Sequence, residues 1–285
     1  TIDCKQKAFK ARGAWRGQYL YDLYKGAAMP WEWTRELKAL AARIGICLFS
    51  TPFDFSAVDF LERLDMPAYK IASPELVDLD LIRRVGQTGK PVIISTGGAT
   101  LAQIGHACQT LAETGNANVA ILKCTSQYPA PAEDIHLKSI PHLKALFNCP
   151  AGLSDHTMGS AVPLAAVALG ADIIEKHVRL EGQEETADTF FSATPGELQQ
   201  ICQGALTVYK ALGTPDFPVQ PGPLHRSVIC VKDMVDGERF EPGVNIRSIR
   251  PGGGLPPDQM DRIAGRKAVM DISRGTLLKW DMVGE

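Results

Sequence analysis

The 285-residue chain reads as an α/β protein: a (β/α)8 TIM barrel lacking about two N-terminal units, followed by a small C-terminal module. Three observations predict this. From residue 44 onward, short apolar runs without strict alternation are followed by longer amphipathic stretches, as for strands buried on both faces of a parallel sheet. Strand starts recur at roughly 20 to 30 residues, the span of a βα unit. Each run then ends in polar chemistry, as strands do at the catalytic end of a barrel.

The runs are Ile46–Phe49, Ala68–Ile71, Val92–Ile94, Val119–Leu122, a weak one at Ala151–Leu153, and Ile173–Ile174. Helical patterns cover Pro30–Arg43, Phe55–Leu64, Asp80–Thr88, Leu101–Thr114, Ser139–Phe147, Ser160–Leu169 and Pro195–Leu212. Ahead of Pro30 lies a polar and aromatic segment with no convincing strand. Six units can be counted where a closed barrel needs eight, so the sequence reads as part of a longer product. An open doubly wound sheet would gather its ligand site at one switch point, whereas here six successive run ends carry candidate groups. No GxGxxG or GxxxxGK[ST] fingerprint is present.

The barrel is expected over residues 1–212. A proline- and glycine-rich linker follows at 213–223, and a module of short strands and turns at 224–285, with a helical patch near Asp258–Ile263. Thirty basic against 32 acidic residues give a net charge of −2, which argues against nucleic acid or an anionic membrane surface as partner. No stretch approaches ~18 uninterrupted apolar residues. Seven cysteines without CxxC spacing fit reduced thiols and a cytoplasmic protein.

His156 and His177 end two runs expected to lie side by side, where two neutral imidazoles can bind a divalent cation; two hydrogen-bonded histidines beside ligand or core would look the same. Lys70, Lys123 and Lys176 lie near the ends of buried runs, where an ammonium is costly unless it meets an anion or forms a Schiff base. Lys70 with Thr51 and Ser95 suits a phosphate or carboxylate, although pairing with Glu175 or Asp155 is the plain structural alternative. Lys123 and Lys176 read as pointing outward, between sheet and helices. Ser154-Asp155-His156 is no triad, because successive strand residues face opposite sides. Ser95-Thr96-Gly97-Gly98 can offer backbone N–H groups to an oxyanion, and Arg250-Pro251-Gly252-Gly253-Gly254 presents one guanidinium on a loop. Trp15, Trp31 and Trp33 read as packing; His106, His136, His142 and His225 read as solvated. A metal-assisted enzyme for an anionic substrate and a lysine-dependent aldolase both fit these residues.

The ordered strings Phe49-Ser50-Thr51-Pro52-Phe53-Asp54, Tyr69-Lys70-Ile71-Ala72-Ser73-Pro74-Glu75, Ile94-Ser95-Thr96-Gly97, Lys123-Cys124-Thr125-Ser126-Gln127-Tyr128-Pro129, Gly152-Leu153-Ser154-Asp155-His156-Thr157 and Glu175-Lys176-His177 resemble the sialic acid (nonulosonic acid) synthase family. These enzymes condense phosphoenolpyruvate with an N-acetylated sugar. The tail from about Leu224, with Ile249-Arg250-Pro251-Gly252, resembles the family's antifreeze-like (SAF) domain. The opening Leu20-Tyr21-Asp22-Leu23-Tyr24-Lys25 and Pro30-Trp31-Glu32-Trp33 resemble the branch that makes pseudaminic acid.

The resemblance implies a divalent metal, Mn2+ by preference with Mg2+ or Co2+ as alternatives, on His156 and His177. It implies phosphoenolpyruvate on Thr51, Lys70, Ser95 and Ser154, and catalytic roles for Glu75, Tyr128 and Asp188. It places Ser73, Ser126 and Arg250 against the sugar, Arg250 reaching into the partner's barrel of a domain-swapped homodimer. Ser126 stands where the sialic acid branch has asparagine, and Gly98 where the family usually has methionine. The family's first-strand glutamate and second-strand lysine cannot be assigned in this sequence.

Overall fold

The computed structural model describes residues 4–216 and 225–285, which form two compact units, Thr1–Thr214 and Pro215–Glu285. The first unit opens with helices α1 (Leu20–Ala27), α2 (Trp33–Ile44) and α3 (Phe55–Arg63). Five βα repeats then follow: β1 (Tyr69–Ile71), α4 (Leu79–Gly86), β2 (Val92–Ser95), α5 (Leu101–Glu113), β3 (Val119–Cys124), α6 (Ser139–Phe147), β4 (Ala151–Asp155), α7 (Ala161–Ala168), β5 (Ile174–Lys176) and α8 (Pro195–Leu212). The strands pair in sequence order, all parallel. The sheet is thus a curled half-barrel with every strand pointing the same way.

Local chemistry explains the element ends. Thr194 caps α8 by accepting from the Glu197 N–H while Glu197 reaches back to the Thr194 N–H, and Pro195 occupies the first turn, where no backbone donor is needed. Thr100 and Gln103 form the same reciprocal cap at α5. Asp54 and Asp78 accept from the first turns of α3 and α4. The core lies between sheet and helices: Tyr69, Ile71, Ile94 and Ile121 meet Val58, Ile82, Leu111 and Ile140, all fully buried. Alternation then fixes the other face, so Lys70, Ser95, Cys124, Ser154 and Glu175 point inward.

The front of the sheet departs from the expected pattern. The Ile46–Phe49 run does not form a strand; it meets the sheet through one parallel bridge, Ser50 to Tyr69, with the Lys70 N–H donating to the Ser50 carbonyl at 3.0 Å. Among the described residues nothing pairs along its other side, and Ile46 is 60% exposed. A single bridge on one side is too little to hold a four-residue run extended. Helix α1 forms in the polar and aromatic segment ahead of Pro30, where no element is expected. Its neighbour α2 turns Trp33, Leu37, Leu40 and Ile44 outward.

The second unit is small, with its own core of Val228, Cys230, Met234, Phe240, Ile246 and Leu278. Strands β6 (Ser227–Cys230) and β7 (Ile246–Ile249) pair antiparallel, and the helical patch is α9 (Met260–Ile263) preceded by a 3-10 turn. Of the expected linker, residues 217–223 lie outside the described residues. No helix among the described residues is long and apolar enough to cross a membrane.

Candidate active site

Inward residues of β1 to β5 converge at the C-terminal end of the sheet. Ser154 donates to Glu175 Oε1 at 2.7 Å, and Lys70 Nζ lies 3.6 Å from Glu175 Oε2. One carboxylate therefore joins β1 and β4 from its place on β5. Lys70 is 7% exposed and also donates to its neighbour's carbonyl; burial pulls its pKa down in spite of Glu175. Ser95 beside it is 2% exposed, and its hydroxyl has no hydrogen-bond partner among the described residues. Thr51 stands one residue past the Ser50 bridge, at the edge next to β1.

Above this floor, the 3-10 turn Ser73–Val77 carries Ser73 and Glu75. Ser73 accepts from the Gly97 N–H at 2.9 Å. A Cβ on Gly97 would lie 2.1 Å from Ser126 Oγ, 2.9 Å from Ser73 Oγ and 3.1 Å from Cys124 Sγ, so three side chains close on a position that only glycine fills. Glu75 Oε2 is buried without a hydrogen-bond partner among the described residues, and desolvation pushes its pKa up. Burial would likewise raise the Cys124 thiol, yet hydrogen bonding with His156 and Ser73 brings it below the usual value.

The two histidine rings lie 5.3 Å apart between centroids. His156 Nδ1 is 2.9 Å from the Thr125 carbonyl, which can only accept, so Nδ1 carries a proton; burial would lower the His156 pKa, yet hydrogen bonding with Cys124 and the Thr125 carbonyl raises it. His177 Nδ1 lies 3.7 Å from Asp188 Oδ2, while burial, then the His156 ring, lowers the His177 pKa. Neutral, oriented imidazoles are the form a metal requires. Among the described residues no third His, Cys, Asp or Glu completes a ligand cluster; the two imidazole nitrogens are donors of the type a divalent cation takes, and water or substrate would have to fill its other positions.

Aromatic rings wall the pair. Tyr128 lies 4.4 Å from His156 and Phe191 4.8 Å from His177, and burial pushes the Tyr128 phenol up to about 12. Trp15 packs on Tyr128 at 5.3 Å and donates its indole N–H to the Ala187 carbonyl at 2.8 Å. That carbonyl belongs to the loop carrying Asp188.

These distances bring Lys70, Ser73, Glu75, Ser95, Ser126, Tyr128, Ser154, His156, His177 and Asp188 into one site, with Thr51 at its edge. Arg250 lies in the second unit, directly after β7. Lys176 points outward, as expected, into a buried ion pair with Asp155. Lys123 donates to the Cys124 carbonyl and Thr125 hydroxyl instead of an anion. No role is expected from the sequence for Cys124 or Phe191; Gly97 is expected only as part of an N–H-presenting turn, Trp15 only as packing, which it provides against Tyr128, and Glu175 only as a structural partner. Cys124 and Glu175 were legible from alternation, since each shares a face with a residue already singled out. Trp15 carries no local signal.

The model of the NeuB family matches residues 1–216, and that of the SAF domain matches 225–284. The chain belongs to the NeuB family. Within it, the chain is 39% identical to a pseudaminic acid synthase of Campylobacter jejuni, over 98% of this chain and 83% of that protein. It is 33% identical to the N,N'-diacetyllegionaminic acid synthase of the same species, over 86% and 75%. Among solved structures, an N-acetylneuraminic acid synthetase from Leptospira borgpetersenii, in complex with citrate, superposes with a TM-score of 0.67 at 32% identity, over 70% of each chain. This NeuB chain therefore combines a barrel-type fold with an SAF module.

Proposed function

We propose that the chain is a pseudaminic acid synthase, condensing phosphoenolpyruvate with 2,4-diacetamido-2,4,6-trideoxy-β-L-altropyranose to give pseudaminic acid and phosphate. The observation that carries this reading is the juxtaposition, in one inward-facing site, of a buried lysine–serine cradle with two oriented imidazoles. Higher identity to a pseudaminic than to a legionaminic synthase from one species supports the choice of sugar.

Lys70, Ser95, Ser154 and Thr51 hold the phosphate and carboxylate of phosphoenolpyruvate. Ser95 Oγ lacks a hydrogen-bond partner among the described residues, and an anion would satisfy it. His156 and His177 hold a divalent cation, manganese by preference, with magnesium or cobalt as alternatives. A cation held there would supply Lewis-acid stabilisation for the charge that grows on the open-chain sugar's aldehyde oxygen. The enol carbon attacks the aldehyde carbon, forming the carbon–carbon bond. Water adds at the neighbouring carbon, and the C–O bond to phosphate breaks.

Glu75, kept protonated more readily by burial, supplies a proton to the new hydroxyl. Tyr128 stays a hydrogen-bond donor at neutral pH. Asp188 orients His177, and Ser73 and Ser126 face the sugar. The enzyme acts as a cytoplasmic homodimer in which Arg250 reaches the partner's sugar site, within a domain division of 1–212, 213–223 and 224–285.

The test is manganese-dependent phosphate release from phosphoenolpyruvate, with the altrose sugar, the legionaminic acid precursor and N-acetylmannosamine in parallel. Turnover with the altrose sugar alone supports the reading. Turnover only with another sugar moves the chain to the legionaminate or N-acetylneuraminate activity. Sugar binding without turnover in the folded protein leaves a carbohydrate-binding chain that has lost catalysis.

A further inference from the structure

Asp155 and Lys176 lie on the outward face of β4 and β5, paired directly across the ladder. Their side chains are 0% and 4% exposed, and Lys176 Nζ meets Asp155 Oδ2 at 2.7 Å. Asp155 Oδ1 also accepts from the Thr157 N–H at 3.0 Å and its hydroxyl at 2.8 Å, while Lys176 donates to the Thr157 carbonyl. Each partner immediately precedes one histidine of the site. The peptide beyond His156 is thus gripped at its N–H, hydroxyl and carbonyl by charges that belong to both strands.

Stability alone does not account for such a pair. Desolvating two charges costs several kcal/mol per ion, and apolar replacements of similar volume are often neutral or stabilising. Register is a different matter. β5 has three residues, lies at the sheet edge, and holds its place through three ladder positions. A slip of one residue would turn every side chain to the opposite face, carrying His177 out of the site.

We propose that the Asp155–Lys176–Thr157 cluster is the positioning device that sets the separation of His156 and His177, and with it cation affinity. This rests on the reading of the two histidines as a cation site.

The test is the Mn2+ dissociation constant, read from the electron paramagnetic resonance of free Mn2+ well below each protein's melting temperature. Four proteins are compared: wild type, His156→Ala, Asp155→Leu/Lys176→Met and Thr157→Val. The double variant removes both charges together, so no lone ion is left buried. It is expected to melt cooperatively, bind phosphoenolpyruvate as wild type does, and bind Mn2+ at least about tenfold more weakly. Thr157→Val removes one arm of the cluster and is expected to weaken Mn2+ binding about threefold, which carries the test if the double variant does not fold. Mn2+ affinity within twofold of wild type in a folded double variant, or unchanged in Thr157→Val, overturns the proposal. Wild type that binds no Mn2+, or that binds no better than His156→Ala, overturns the cation site itself.

Discussion

Trp15 and Ala187 are 172 positions apart in sequence, yet the indole N–H of one meets the carbonyl of the other at 2.8 Å. The bond straps the N-terminal segment to the loop carrying Asp188, and the same indole packs on Tyr128. A neutral hydrogen bond contributes about 0.5–1.5 kcal/mol and an aromatic pair a similar amount. Trp15→Ala is expected to lower kcat/KM for the sugar about tenfold and to leave the KM for phosphoenolpyruvate unchanged. Trp15→Phe, which keeps a ring, should recover part of the loss. Steady-state kinetics with each substrate varied in turn checks this, and equal losses for both substrates would count against it.

Gly97 sits where Ser73, Ser126 and Cys124 close in. Gly97→Ala brings a methyl 2.1 Å from Ser126 Oγ, and overpacking of this kind typically costs about 1–3 kcal/mol. Chemical denaturation should show that loss together with reduced turnover. Adding Ser126→Gly frees the nearest atom and is expected to restore stability by more than the single changes sum to.

Lys70 must be protonated to hold an anion. Its pKa is lowered, chiefly by burial, so kcat/KM for phosphoenolpyruvate should fall on the alkaline side at a lower pH than a solvated lysine would give. Lys70→Arg is expected to move that limb upward, out of the accessible range, at reduced overall activity, because guanidinium stays charged. A pH profile that Lys70→Arg leaves in place would assign the limb to another group.

Glu75 has a pKa raised by burial. The folded state then holds its proton more tightly than the unfolded state, so stability is lost as pH climbs from the unfolded pKa through the folded one. Glu75→Gln removes that loss. Its melting temperature should rise relative to wild type between acid and neutral pH, while turnover falls by about 10²–10⁴ if Glu75 is the proton donor. A parallel pair of melting curves across pH would exclude the buried carboxylate as the cause.

Where local chemistry decides, the sequence was readable. The bounds of α8 follow from Thr194, Pro195 and Glu197, and the expected and observed helices coincide at Pro195–Leu212. Five of the six apolar runs became strands, because short runs without strict alternation suit a sheet buried on both faces. Ile46–Phe49 is as apolar and failed, since a strand needs neighbours as well as residues. The inward set on β1 and β4 followed from alternation, and the same rule reaches Cys124 and Glu175. Trp15 and Phe191 were not legible, because their places depend on how distant loops meet, and no spacing within the chain records that.

The single bridge at Ser50 has a mechanical consequence. Ser95 and Ser154 hang from strands hydrogen-bonded on both sides, whereas Thr51 hangs from a run tethered at one point. The cradle around Lys70 is therefore stiff along one wall and compliant along the other. Amides of residues 47–49 are expected to exchange with solvent ahead of those of β2 and β4, and a ligand bridging Thr51 to Ser95 would stitch that loose margin to the frame.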